Sequence, residues 1–446
     1  MKIRKVKDFI LDKKSLSGFC VLLILYNNLI LRLINPSLSY HVGNELFLLI
    51  IAIWMLIQLF DDLVHKRLLD TQFKLVFGLF YLYAAIVFLF NRPYNIPGMI
   101  YITYFFVMWY ILTSASLYSS KEEFFSFLQK IFLHFVIVVL IINTISLIAY
   151  FLLGFRIVSK LPACFVLTGN NHAKTSIFGR LLKFRYGGLY SIVPEAGFFS
   201  YVSFAITLYL RENNVLKKPI TLFSIVTSGM MVFLSNSRIS EICLGVIICY
   251  WLFWYLRRKK ILFFHPTKGK RFISIALIIS LLILFVCLYR FGPSVINAIQ
   301  LDPFTFFDRL SAARLSYWKE GLTAFIEKKW FGHGWGNIVG LSEKRYHYHN
   351  IIICMLVFTG IIGTVLFCGL SLYCTIKIHK NSASIEQYKA KWIKVLVLCI
   401  YLESFLEVCL VAETSHIETP IFFVGLGLLC YCNLNTPLND GSFLLK

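Results

Sequence analysis

Apolar blocks of eighteen or more residues recur from one end of this sequence to the other, more than a soluble core can absorb. Each is long enough to cross a hydrocarbon layer of about 30 Å at about 1.5 Å per helical residue. Inside that layer the backbone finds no water to bond, so spanning segments fold as helices. Hydrophobic residues make up 58% of the chain and charged residues 15%, against roughly 45–50% and 25% in an average soluble domain. The expectation is an all-α, polytopic membrane protein with about 12 transmembrane helices.

The spans are expected at 16–34, 45–60, 73–90, 98–117, 131–154, 194–210, 219–236, 238–256, 272–289, 350–375, 392–410 and 417–434. Around Ser235-Asn236-Ser237-Arg238 the pattern fits either a hairpin of two spans or one broken passage. Lys2, Arg4, Lys5, Lys7, Lys13 and Lys14 precede the first block, which carries no small-residue cleavage site and reads as a retained span. An even count puts both termini in the cytoplasm. The inside loops, Arg257–Arg271 foremost, are then nearly all basic, as the positive-inside rule requires.

On this count the chain is a single integral membrane domain over 1–446, with a basic outer loop at 155–193 and a larger outer loop at 290–349. Both outer loops run against the positive-inside rule, the first through Arg156, Lys160, Lys174, Arg180, Lys183 and Arg185. Long loops are translocated regardless of charge, so tolerance is one explanation. The reading preferred here is that they face an anionic ligand at the outer surface. The net charge of +22 is scattered among short loops, which argues against nucleic acid. The 12 cysteines lie almost all within apolar blocks, so no disulfide framework is expected.

The longest polar interruption runs from Phe304 to Asn350. Arg309–Lys328 can form an amphipathic helix with Leu315, Trp318, Leu322 and Phe325 on one face. Trp318, four residues after Arg314, would sit at headgroup level and hold the guanidinium at the membrane–water boundary, where it can fork onto phosphate. The alternative is a surface helix with a snorkelling arginine. The run Gly332-His333-Gly334-Trp335-Gly336 is either a simple turn or a nest of backbone N–H groups that binds an anion. His347, His349 and Asn350 mark re-entry into the membrane. The two histidines lack the carboxylates of a metal site, so no metal and no cofactor are expected. A histidine at this boundary is either structural or a proton acceptor.

Tyr186–Ser200 reads YGGLYSIVPEAGFFS. Glu195 opens a span there, either complementing the helix dipole or orienting an arginine or acceptor hydroxyl. Arg238 at the mouth of a span should face a cavity or a partner rather than lipid. Glu403 and Glu407 lie four apart in the eleventh span, as counter-charges to the basic loops or as a proton path.

Three segments, Arg185–Ser200, Ser235–Glu241 and Arg314–Gly363, resemble the O-antigen ligase / Wzy-type polysaccharide polymerase superfamily. RLSYWKEGLTAFIEKKWFGHGWGNI is similar to the superfamily's Arg–x3–Trp helix and G-x-G turn, and HNIIICMLVFTGIIG to its His-Asn entry into the next span. Departures are Ala196 after Glu195 and Lys329-Trp330 before the turn, where relatives often carry proline. The resemblance implies an inverting, metal-independent glycosyltransferase at the outer face of the bacterial cytoplasmic membrane. Arg185, Arg314 and Arg238 would hold an undecaprenyl-pyrophosphate-linked oligosaccharide, and His349 would act as general base. Glu195, Arg309, Trp318, Gly332, Gly334 and Asn350 complete the expected substrate-binding set. The specific expectation is a polymerase joining repeat units into O-antigen or capsule, with membrane lipids and a chain-length regulator as partners. A ligase transferring the glycan to lipid A-core shares the donor site. A lipid-oligosaccharide flippase is the rival from another class.

Overall fold

The computed structural model describes residues 72–92, 121–153, 168–170, 185–190, 193–258, 314–335, 337, 339, 348–380 and 391–404, with isolated positions at 53, 57, 60 and 64. These residues form eight helices and one short ribbon: α1 (Gln72–Phe90), α2 (Lys121–Leu153), β1 (Thr168–Asn170), β2 (Arg185–Gly188), α3 (Val193–Glu212), α4 (Lys218–Ser235), α5 (Arg238–Arg258), α6 (Arg314–Glu327), α7 (Ile351–Lys380) and α8 (Lys391–Ser404). The protein is all-α and polytopic. Five helices among the described residues, α2, α3, α4, α5 and α7, are long and apolar enough to cross a membrane.

The expected spans at 73–90, 194–210, 219–236, 238–256 and 350–375 coincide with helices to within a few residues, while α2 begins well before its expected start. The SNSR segment is a hairpin. Asn236 ends α4 in the left-handed region with φ 52° and donates its N–H to Phe233 O; Arg238 opens α5 two residues later. Spans expected at 16–34, 98–117, 272–289 and 417–434, and the residues Arg309, His347 and Glu407, lie outside the described residues.

Extensive helix contacts fall into two groups. In the first, α3 touches α2, α4, α5, α8 and β2. It is the central helix, with 94% of its apolar window buried against 28% for α5. Ser200, Ser203, Ala205 and Thr207 keep it slim enough for close neighbours. Several of its buried polar groups are matched by side chains: Asn143 donates to Ser200 Oγ at 3.2 Å, Thr207 and Ser224 share a bond of 2.9 Å, and Tyr201 donates to the Glu403 carboxylate. Lys391 joins α8 to Glu212 at the far end of α3, 2.9 Å away.

In the second group α7 packs against α1 and α6. At 30 residues α7 exceeds the roughly 20 needed to span, and it is broken at Gly360, whose φ of 65° and ψ of −166° belong to a region essentially reserved for glycine. Such a break orphans backbone groups on both sides. The segment 329–334 takes them up. Ile361 N–H donates to Lys329 O at 2.8 Å and Ile362 N–H to Trp330 O at 3.5 Å. In the opposite sense, His333 N–H donates to Val357 O at 2.7 Å and Gly334 N–H to Phe358 O at 3.0 Å. Tyr83 of α1 donates its hydroxyl to Thr359 O, and Thr364 Oγ1 donates to Gly360 O. A Cβ on Gly360 would lie 2.3 Å from the Trp330 carbonyl, and one on Gly332 2.5 Å from Phe358 C.

Candidate active site

The tyrosine-glycine run after Arg185 is built into the first group. Tyr186 donates its hydroxyl to Ser146 O, Leu189 N–H donates to Ser146 Oγ, and Tyr190 donates to Asn143 Oδ1. Gly188 has φ +60°, and a Cβ there would strike Ser146. Burial first, then the neighbouring Tyr150, pushes the Tyr186 phenol up, so it stays protonated as a donor. Arg185 therefore leaves a firmly seated ribbon, its backbone paired with Asn170.

The next residues enter α3. Glu195 is buried in its first turn, the position that complements the positive end of the helix dipole. Gly197 lies so close to the SNSR hairpin that a Cβ would sit 2.6 Å from Ser240 Oγ and 2.7 Å from Ser235 Oγ. This contact sets the depth of the hairpin against α3, and with it the starting height of Arg238. The Arg238 guanidinium is partly withdrawn from water and feels two neighbouring charges, Arg314 and Glu241. Thus the first residue of α5 and the first residue of α6, 76 positions apart in sequence, present like charges to one region.

Tyr317, one turn along α6 from Arg314, lies against the His349 ring, with centroids 5.3 Å apart and planes inclined by 32°. His349 is itself left-handed, φ 52°, which is uncommon outside glycine. Two flanking devices hold it there. Tyr348 is fully buried over Gly321, where a Cβ would meet its ring at 2.7 Å, and its hydroxyl both accepts from and donates to the backbone of Val339. Asn350 caps α7, its Oδ1 accepting from Ile352 N–H at 2.9 Å and Ile353 N–H at 3.2 Å. Arg238 and Arg314 are electrostatic neighbours, and Arg314 stands one turn before Tyr317, which lies against His349.

Other expected residues take different places. Gly332 and Gly334 do not present a free anion nest: their N–H groups go to Lys328 O and Phe358 O, and the N–H between them to Val357 O. The turn mends α7 instead. Trp318 is half-buried and, together with Phe325, packs against the core. The small residues Gly321 and Ala324 draw that face of α6 against α7, and Leu322, Ile326 and Trp330, at four-residue steps, form the exposed side. Lys328 leaves the helix to donate to Asn91 Oδ1 at the end of α1. Trp335 is buried between Phe80 and Phe358, and His333 Nε2 bonds Ala324 O.

Residues 223–368 match the family model described as O-Antigen ligase. This match supports a likeness to the O-antigen ligase superfamily. Over 216 residues the chain is 26% identical to a General O-oligosaccharyltransferase of Acinetobacter baylyi, a match covering 43% of this chain and about a third, 36%, of that relative. The O-antigen ligase segment runs from α4 into α7 and contains Arg238, Arg314, His349 and the break at Gly360. Sequence reasoning passed over Tyr317, Tyr348, Asn236 and Gly360. Only Gly360 left a legible trace, as the Thr-Gly step inside an overlong apolar run.

Proposed function

We propose that the protein is a glycosyltransferase of ligase type, which moves an oligosaccharide from undecaprenyl pyrophosphate to an acceptor hydroxyl at the outer face of the bacterial cytoplasmic membrane. The observation that carries this reading is the approach of Arg238 and Arg314 beside the Tyr317–His349 pair. Arg238 feels the like charge of Arg314 more strongly than the opposite charge of Glu241, so a further anion is favoured there, and a pyrophosphate offers oxygens for both forks. His349 accepts the proton of the acceptor hydroxyl as that oxygen attacks the anomeric carbon from the face opposite the leaving group. The C–O bond to pyrophosphate breaks, its electron pair departs with the lipid pyrophosphate, and configuration inverts. Charge grows on the leaving oxygens as the bond breaks, so the preorganised arginines act most strongly in the transition state. This scheme uses no metal.

The family match and the relative's name favour transfer to an acceptor over joining of repeat units, the finer reading that the sequence had suggested. Polymerisation uses the same donor chemistry with a growing lipid-linked chain as partner, and a chain-length regulator belongs to that reading alone. The test is surface and lipid-linked glycan from cells carrying His349→Ala or Arg314→Ala, with membrane levels matched. A ligase loses surface glycan while long chains remain on undecaprenyl pyrophosphate. A polymerase leaves single repeat units attached to the acceptor. Unchanged glycan in both variants removes the enzyme reading and favours lipid flipping.

A further inference from the structure

Asn236 ends α4 in the left-handed conformation, a role for which asparagine is suited. That role does not require the side chain to be enclosed. Asn214, just beyond α3, adopts the same conformation with φ 60° and is exposed. Asn236 is only 3% exposed, and neither its Oδ1 nor its Nδ2 has a hydrogen-bond partner among the described residues. Its neighbours are not short of partners: Ser235 Oγ donates to Val232 O at 2.7 Å, and Ser240 Oγ to Ser237 Oγ at 3.1 Å. A buried carboxamide with both functions unmet is unfavourable, and in native structures such a group demands an explanation.

We infer that the Asn236 carboxamide is a recognition residue for the sugar next to the pyrophosphate of the lipid-linked donor. This rests on the transferase reading above and extends it to a subsite. Arg238 stands two residues further along, with Arg314 in electrostatic reach, so the anion has its own partners. A carboxamide has donors and an acceptor on one planar group. Phosphate oxygens offer only acceptors and would leave Oδ1 facing negative charge. A sugar hydroxyl accepts from Nδ2 and donates to Oδ1, so the first glycosyl unit fits and the phosphate does not.

The test separates side chain from turn. Asn236→Gly keeps the left-handed backbone at no steric cost and removes the carboxamide. Asn236→Asp keeps the shape, removes the donors and adds charge. Purified full-length protein is titrated with undecaprenyl pyrophosphate alone and with lipid-linked oligosaccharide extracted from the producing cells. The expected result is that Asn236→Gly weakens binding of the glycan-bearing lipid by about 10-fold, the scale of two neutral hydrogen bonds, and leaves binding of the bare lipid unchanged. Asn236→Asp should weaken the glycan-bearing lipid further. Unchanged binding of both lipids to Asn236→Gly overturns the inference and makes the residue a turn former. Equal weakening of both overturns it too, assigning the effect to displacement of Arg238. Wild-type protein that binds the bare lipid no less tightly than the glycan-bearing one overturns the inference while the anion site stands. Binding of neither lipid by wild-type protein removes the transferase reading along with it.

Discussion

The two packed groups solve one problem in opposite ways. Around α3, continuous helices satisfy their own backbones, and several of their buried polar side chains pair across interfaces: Asn143 with Ser200, Thr207 with Ser224, Tyr201 with Glu403. Around α7 the helix is interrupted, and a piece of loop is grafted in, backbone to backbone. The graft also fixes direction. Gly321 lies against Ile353, and eight residues later on both segments Lys329 receives the N–H of Ile361. So α6 runs beside the start of α7 in the same direction, and Arg314 and His349 come to the same end of the pair. Arg238 comes from the first group, and its electrostatic neighbour Arg314 from the second. The candidate site lies across the seam, with one cation set by side-chain packing and the other cation and the histidine by a repaired break.

The sharpest way to break this contrast is Gly360→Ala. The residue needs a glycine-only conformation, and the new methyl would collide with the Trp330 backbone. A cost of about 3 kcal/mol or more is expected from strain and lost hydrogen bonds together. Thermal unfolding in detergent should fall by several degrees. Amide exchange should accelerate at His333, Gly334 and Ile361 while α3 stays protected. Equal acceleration in both groups would mean that they are one cooperative unit.

The seam is tested by a double-mutant cycle. Arg238→Ala and Arg314→Ala should each lower transfer by about 10²–10³-fold, as for loss of one preorganised donor to a developing anion. The double variant should lose far less than the product, because either single change already dismantles the clamp. Strict multiplication would show that the two arginines act at separate places. Within the first group, Tyr201→Phe removes the donor to a buried carboxylate and should cost about 1–3 kcal/mol of stability, read by the same unfolding assay, with transfer by the surviving folded protein little changed.

Most of this first group was legible in the sequence, because apolar length alone marks an unbroken helix that carries its own hydrogen bonds. The boundaries of α3, α4 and α5 followed, and the SNSR hairpin was one of two open readings. The second group was legible only in part. The sequence marked Arg314, the glycine turn and His349 as belonging together, but period and hydropathy see one helix at a time. They could not show that Gly332 and Gly334 answer a break at Gly360, since the partners are distant carbonyls rather than side chains with a pattern. The apolar face of α6 was legible only in part for a related reason. A stripe of large residues suggested the buried face, whereas close approach is set by the small ones, Gly321 and Ala324, and that turned Leu322 outward.

The smallest expected effect lies at the end of the first group remote from Arg238. Lys391 pairs with Glu212 at 2.9 Å, with both side chains 13–14% exposed, and its ammonium lies 4.5 Å from the Trp254 ring centre. Lys391→Gln removes charge from both contacts but keeps length and a donor. The glutamine can still donate to the Glu212 carboxylate, so only the charge assistance is lost, about 1 kcal/mol or less. The value of the measurement lies in activity. Glu212 is some seventeen residues along α3 from Glu195, about 25 Å of helix. If α3 only anchors the hairpin that carries Arg238, transfer by Lys391→Gln should match wild type per folded molecule. A loss of activity larger than the loss of stability would show that α3 and α8 shift together during turnover, and that the first group is less fixed than its packing suggests.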